Sequence, residues 1–238
     1  LVRNPVDAIE APRATHTEMK VMSEEDINRF LTVIKPTPYY SLFYLALFTG
    51  MRRSELLGLR WSDVDLLLCQ ISVTRAMHRL KNGEIVFRPP KTAKGRRVVS
   101  LSPSTVIVLQ KHREAQENIQ LLQGLRINND DLVFSKEDGS PLSPNSITSA
   151  WIRLAKRTGL EGIRLHDARH THASLMLKQG VHPKIVQERL GHSTIAITLD
   201  TYSHVTPGLQ EAAANRFDDI VSPKPVAEPR KEAVENYY

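Results

Sequence analysis

The chain has 238 residues, 41% of them hydrophobic, a formal net charge of +6 and one cysteine. This is enough apolar material for a full buried core. Cys69 alone cannot build a disulfide framework or a thiolate zinc site, and agrees with a reducing, intracellular compartment. No apolar run approaches the ~20 residues of a membrane span, and no signal-peptide pattern opens the chain. The basic balance favours a polyanionic partner, nucleic acid before an anionic membrane surface.

The chain begins at Leu1 rather than Met, and residues 1–20, with two prolines and mixed charge, read as a linker in a fragment of a longer protein. Ser23 followed by Glu24, Glu25 and Asp26 is a capping-box-like helix start. Ile27, Phe30, Leu31 and Ile34 supply the apolar stripe, and Pro36 and Pro38 end it. Tyr39 to Phe48 is apolar nearly all round, which predicts a buried helix stopped by Gly50. A short helix is expected over Ser54 to Leu59, with Trp61 and Val64 as core anchors.

From Gln70 the pattern alternates, with Ile71 and Val73 on one face. Asn82-Gly83 is a hairpin turn signal. Strands over 70–75, 85–87 and 97–101 predict a small three-stranded antiparallel sheet. A basic tip, PPKTAKGRR, lies between the last two. Ser102-Pro103 opens a long helix to about Leu122, expected to bury Val106, Leu109, Ile119 and Leu122. Residues 123–146 are loop-rich, with Leu132, Val133 and Phe134 as a buried anchor. Asn145 or Ser146 is expected to cap a helix ending at Thr158 and Gly159. Another helix runs from about Leu165 to Lys178. His182-Pro183 opens the next with proline at the first helical position, burying Ile185, Val186 and Leu190 and ending at Gly191. Ser193 caps a short helix that delivers Tyr202. An amphipathic helix is expected over 209–220, and a disordered tail over 221–238. The expected class is mixed α/β, mainly helical.

Arg52, Lys91, His166, Arg169, His192 and Tyr202 could converge. Each alone has an ordinary explanation. A lone tyrosine packs with its hydroxyl satisfied. Arg52 with Glu55 three residues on makes a helix-terminus ion pair. The cations around Gly95, namely Lys91, Lys94, Arg96 and Arg97, form a solvated turn as readily as a phosphate contact. Two other chemistries compete. His166 and His170 have the i, i+4 spacing of zinc sites, with His172 nearby, but no glutamate sits between them and the only acid in that run is Asp167. A serine or cysteine hydrolase is weakly supported, because there is no G-x-S-x-G elbow and the single Cys69 falls in a strand reading; a metal-dependent hydrolase would have to use the histidine run. Phosphoryl transfer suits the set. A phenol with a pKa near ~10 is a poor nucleophile at neutral pH, and two arginines would offset charge on a pentacoordinate phosphorane and favour phenolate nearby. The guanidinium fork matches two phosphate oxygens. With those cations the chemistry calls for no metal ion and no other cofactor.

Four segments, in order, resemble the catalytic domain of the tyrosine recombinase (phage integrase) family, of the mobile-element integrase type. TGMRRSELLGLRWSDVD is similar to the first-arginine motif and RPPKTAKGRRVVSL to the hairpin with the catalytic lysine. LHDARHTHAS is similar to the His-x-x-Arg box and LGHSTIAITLDTYSHV to the second-histidine and tyrosine box. The likeness spans roughly residues 21–220, and NPVDAIEAP resembles the linker from an N-terminal core-binding domain. The resemblance implies site-specific cutting and rejoining of DNA. Tyr202 would be the nucleophile, Arg52 and Arg169 the phosphate clamp, and Lys91 the general acid. His166 would move the tyrosine's proton, His192 would hydrogen-bond the phosphate, and Glu55 would support a neighbour. Lys94, Arg96 and Arg97 would face DNA. Ala168 stands where the family more often has a bulkier apolar residue. The resemblance further implies a homo-tetramer on paired double-stranded DNA attachment sites, with the 209–220 helix docked on a neighbouring protomer. It also implies accessory DNA-bending or excision proteins, no membrane partner, and a cytoplasmic, nucleoid-associated location. The alternatives are a type IB topoisomerase-like enzyme, and a non-catalytic DNA-binding module of the same fold.

Overall fold

A computed structural model describes residues 20–90, 92–202, 214, 215, 217, 218 and 221, with the backbone alone for Ala93, Asp200 and Tyr202. The expected linker, most of the 209–220 helix and nearly all of the tail fall outside them. Helix α1 (Glu24–Ile34) starts with the expected box: Ser23 Oγ accepts from Asp26 N and the Asp26 carboxylate from Ser23 N. Its stripe turns Phe30 and Ile34 fully inward. Helix α2 (Tyr40–Thr49) is buried on almost every side, as its continuous apolar run requires, and Gly50 closes it at φ +64°. Helix α3 (Arg53–Leu57) starts a residue earlier than expected, because the Glu55 carboxylate caps Arg52 N at 2.9 Å.

The small sheet is antiparallel, but its membership differs from the sequence expectation. Strand β1 (Val64–Asp65) pairs with β2 (Gln70–Val73), which pairs with β5 (Arg97–Ser100). The 85–87 segment instead belongs to a separate ribbon, β3 (Ala76–Arg79) with β4 (Ile85–Arg88). The Asn82-Gly83 turn joins β4 to the stretch just before it, and Gly83 takes φ +87°. The 70–75 run breaks after Val73, where Thr74 and Arg75 turn to the Asp63 carboxylate.

Helix α4 (Pro103–Leu122) is capped by Ser102 as expected and buries Val106 and Leu109. Its last turns contradict the expectation: Ile119 is 42% and Leu122 89% exposed. The inward face there carries His112, Gln116 and Gln120. Gln116 accepts from Trp61 Nε1 and donates to Leu132 O, and the His112 ring donates to Val133 O. Helix α5 (Pro144–Arg157) starts two or three residues early, capped at Ser143 with Pro144 in the first helical position. Helices α6 (Leu165–Lys178) and α7 (Pro183–Leu190) match the expected bounds. In α7, however, Ile185 is 54% exposed and Gln187 is buried instead. Helix α8 (Ile195–Tyr202) follows.

The core centres on Trp151. Its ring meets Phe30 at 4.7 Å and Phe43 edge-on at 5.1 Å, and its indole N–H donates to Ile163 O. A second, smaller apolar cluster of Ala173, Leu177, Val186 and Leu190 joins α6 to α7. Among the described residues no helix is long and apolar enough to cross a membrane.

Candidate active site

The cleft is built where α2 ends between α6 and α7. The last carbonyls of a helix lack partners within it, and side chains supply them here. The His172 ring donates to Leu47 O at 2.9 Å, Arg189 to Phe48 O at 3.0 Å and Arg169 to Gly50 O at 2.8 Å. A cation at a helix C-terminus is also favoured by the helix dipole. Gly50 has no room for a side chain: a Cβ would stand 2.6 Å from the Leu190 side chain and 2.9 Å from the His172 ring.

Arg52 extends from the start of α3, half-buried. It donates to the Glu55 carboxylate at 2.8 Å and to Gly191 O at 3.3 Å. Glu55, 3% exposed, is shared: Arg97 grips both its oxygens at 3.1 and 2.9 Å. Burial alone would raise the Glu55 carboxyl, but the Arg97 hydrogen bonds and charge, with Arg52, outweigh it and hold it below the usual range. Arg97 was expected to face DNA. Its side chain is placed instead inside the fold, 6% exposed, with Nε donating to Arg189 O at 2.6 Å. Lys94 and Arg96 are exposed, and Lys94 Nζ donates to Ser193 O. Lys91 lies outside the described residues.

On α6, His166 and Arg169 share a face, as three-residue spacing dictates. Arg169 is buried and also donates to Leu190 O at 2.7 Å, tying α6 to the end of α7. His170, one turn beyond His166, sets its ring edge-on to it at 4.7 Å. Gly191 ends α7 at φ +68°, and Arg97 and Lys94 O crowd its Cα so closely that a Cβ would stand 3.0 Å from each. His192 follows, its N–H bonded to Gln187 O and its carbonyl to the Gln187 amide. Its Nδ1 lies 2.9 Å from the buried Thr198 hydroxyl. Tyr202 is the last residue of α8 and its backbone alone is described.

Arg52, His166, Arg169 and His192 therefore line one cleft of ≈ 360 Å³, with Thr92, His170, Gly191 and Thr201. Its imidazoles are held neutral. Burial and then Arg169 lower His166; burial and then His166 lower His170 to about 4. Burial, Arg169 and Arg52 lower His192 to about 3. Neutral rings and guanidinium donors around one opening suit a bound anion. Sequence reading missed Arg189, Thr198 and the buried place of Arg97, and weighed His170 only as a metal ligand. The local signal for Arg189 was a basic residue in the last turn of a helix. Among the described residues no group of three or more His, Cys, Asp or Glu side chains could hold a metal ion.

A sequence model of the phage integrase family matches residues 20–208. The ICEBs1 integrase of Bacillus subtilis (strain 168) is 34% identical over 224 residues, 93% of this chain and 60% of that protein. A XerC-like tyrosine recombinase of Caldanaerobacter subterraneus subsp. tengcongensis is 31% identical over 215 residues, 86% of this chain and 55% of that protein. The chain thus spans roughly 60% of the length of such curated relatives. Among solved structures, the Tn1549 transposon integrase in complex with circular intermediate DNA superposes with a TM-score of 0.73 at 25% identity, over 85% of this chain and 68% of that one. A lambda integrase dimer bound to a COC′ core site shares the fold at a TM-score of 0.56 and 19% identity, over 85% of this chain and 53% of that one.

Proposed function

The chain belongs to the phage integrase family of tyrosine recombinases, and from that premise we propose that it cuts and rejoins DNA at specific sites through a 3′-phosphotyrosyl intermediate. The observation that carries this reading is the convergence of Arg52, Arg169, His166 and His192 on one cleft, adjoined by the helix that ends in Tyr202. Arg52 and Arg169 clamp the non-bridging oxygens of the scissile phosphate. Their partners hold both guanidinium groups in place before DNA arrives, so little reorganisation is needed in the transition state.

Tyr202 Oη attacks phosphorus and forms the new P–O bond, while the bond to the 5′ oxygen breaks. His166, kept neutral by burial and Arg169, accepts the phenol proton. Lys91 gives a proton to the leaving 5′ oxygen, and His192 donates to a phosphate oxygen. Rejoining reverses these steps: a 5′-hydroxyl attacks, releases Tyr202 and takes over the phosphodiester. The number of phosphodiester bonds is conserved, so no high-energy cofactor enters. Glu55 supports the clamp by holding Arg52 against Arg97.

The partner is double-stranded DNA bearing attachment sites, bound by a homo-tetramer on paired sites, with accessory DNA-bending or excision proteins. Solved relatives held in DNA complexes support the DNA assignment. Residues 21–220 form the catalytic domain and 1–20 the linker to a core-binding domain.

Covalent trapping tests the proposal. With EDTA present, the chain is incubated with a nicked duplex carrying the attachment-site core of its element and run on a denaturing gel. A shifted protein–DNA band that Tyr202→Phe lacks is the expected result. Bound DNA without any such band would leave a non-catalytic DNA-binding module.

A further inference from the structure

Two half-buried imidazoles flank the end of α7, and their hydrogen bonds fix opposite ring nitrogens as the protonated one. His172 leaves no choice. Its Nδ1 faces Leu47 O, a group that only accepts, and its Nε2 receives Arg189 Nε–H at 3.0 Å. That ring is the Nδ1–H tautomer.

His192 is decided by Thr198. A hydroxyl can donate or accept, and Nδ1 lies 2.9 Å from Thr198 Oγ1. The hydroxyl's own hydrogen settles the direction. Thr198 is 0% exposed. Helical threonines commonly return that hydrogen to the carbonyl four residues back, as Thr49 does to Leu45 and Thr148 to Pro144. Thr198 does not, and among the described residues Oγ1 meets only His192. Were Nδ1 protonated, the hydroxyl hydrogen would be buried without an acceptor, which native structures avoid. With O–H donating to Nδ1, both atoms are satisfied and the ring proton sits on Nε2. Nε2 is the ring nitrogen that Thr198 leaves for the cleft, which His192 lines.

We propose that Thr198 is a positioning residue: its buried hydroxyl donates to Nδ1 of His192 and holds that ring as a neutral Nε2–H donor aimed at the phosphate. The proposal rests on the reading of this cleft as the phosphate site. A carboxylate in the place of Thr198 would take an Nδ1–H and make Nε2 a base; a hydroxyl with no other acceptor does the reverse. Burial and the neighbouring arginines keep the ring from charging. Gln187 pins the His192 backbone on both its N–H and its carbonyl, so ring rotation is the freedom that Thr198 removes. Thr198 is also four residues before Tyr202, on the same face of α8. One hydrogen bond thus orients the phosphate donor and docks the helix that bears the nucleophile.

The test reads the ring directly. Nitrogen-15 spectra of the 238-residue chain, with His192 assigned from its loss in His192→Asn, should show a pyridine-like Nδ1 and a pyrrole-like Nε2. Thr198→Val keeps the shape but not the O–H. It should release the tautomer and slow covalent trapping by about 10–100-fold, with DNA affinity unchanged; Thr198→Ser should restore most of the rate. A pyrrole-like Nδ1 in the parent chain would overturn the proposal, as would a Val variant that traps DNA at the parent rate. The ring measurement needs neither DNA nor turnover, so it stands even where the Tyr202→Phe comparison removes the recombinase reading.

Discussion

The main core and the α6–α7 layer hold their elements by different means. Around Trp151, aromatic and aliphatic side chains from α1, α2 and α5 close on one another, and the indole N–H makes a single bond to the backbone. Between α6 and α7 the buried apolar set shrinks to Ala173, Leu177, Val186 and Leu190. There Arg52, Arg97, Arg169 and Arg189 donate to backbone carbonyls of Gly191, Arg189, Gly50, Leu190 and Phe48. Apolar burial is non-directional and scales with area, so it stabilises a packing without fixing it to tenths of an ångström. Hydrogen bonds prefer narrow distances and angles. The first region decides whether the chain folds; the second decides where the cleft's cations stand.

The largest expected effect lies in the first region. Trp151→Ala should lower stability by about 3–5 kcal/mol, read as the shift of a urea unfolding curve. A loss near zero would break the comparison, because it would mean that the aromatic centre is dispensable.

Glu55→Gln sharpens the other side. It leaves Arg97 buried against a neutral amide, at a cost of about 2 kcal/mol, and should slow covalent trapping by about 10–100-fold through displaced arginines. It also has a pH signature. The folded Glu55 carboxyl titrates below its unfolded value, so the unfolded chain binds more protons. The Glu55 contribution is whole above about pH 4.3 and is lost as pH falls through the lower folded value. Stability measured from pH 5 downward should therefore fall faster in the parent than in the Gln variant. Loss beginning near pH 6.5, from His170, His172 and His192, whose folded values are lowered to about 4, 4 and 3, is common to both. Parallel curves below pH 5 would remove Glu55 as the shared anchor.

The smallest effect is expected at Leu122, which belongs to neither region. Leu122→Gln should change stability by less than about 0.5 kcal/mol in the same unfolding experiment. A cost of several times that would return this position to the core.

Elements with local causes were legible in the sequence. The Ser23 box, the all-apolar α2, Gly50, and Pro183 at the start of α7 each act within a few residues, and the structure bears them out. What depended on partners far along the chain was not. Hydrophobicity placed Leu122 and Ile185 inside, whereas Gln116 is turned inward by Trp61 and the Leu132 carbonyl, far along the chain, and Gln187 by the His192 carbonyl just past the end of its own helix. The Asn82-Gly83 turn was legible, but not that its first strand is Ala76–Arg79 rather than Gln70–Val73. Of the proposed site, Arg52, His166, Arg169 and His192 were named from the sequence, and the structure sets all four along one cleft. Arg97 was seen as one more charge in a basic tip, since nothing local records that Glu55, 42 residues earlier, receives it.

The end of α2 carries a consequence for chain length. Three of its terminal carbonyls point at three fixed side chains from α6 and α7. One residue added inside a helix advances its end by about 1.5 Å and turns it by about 100°, which would aim all three carbonyls elsewhere at once. The span from Tyr40 to Gly50 therefore acts as a calibrated rod between core and cleft.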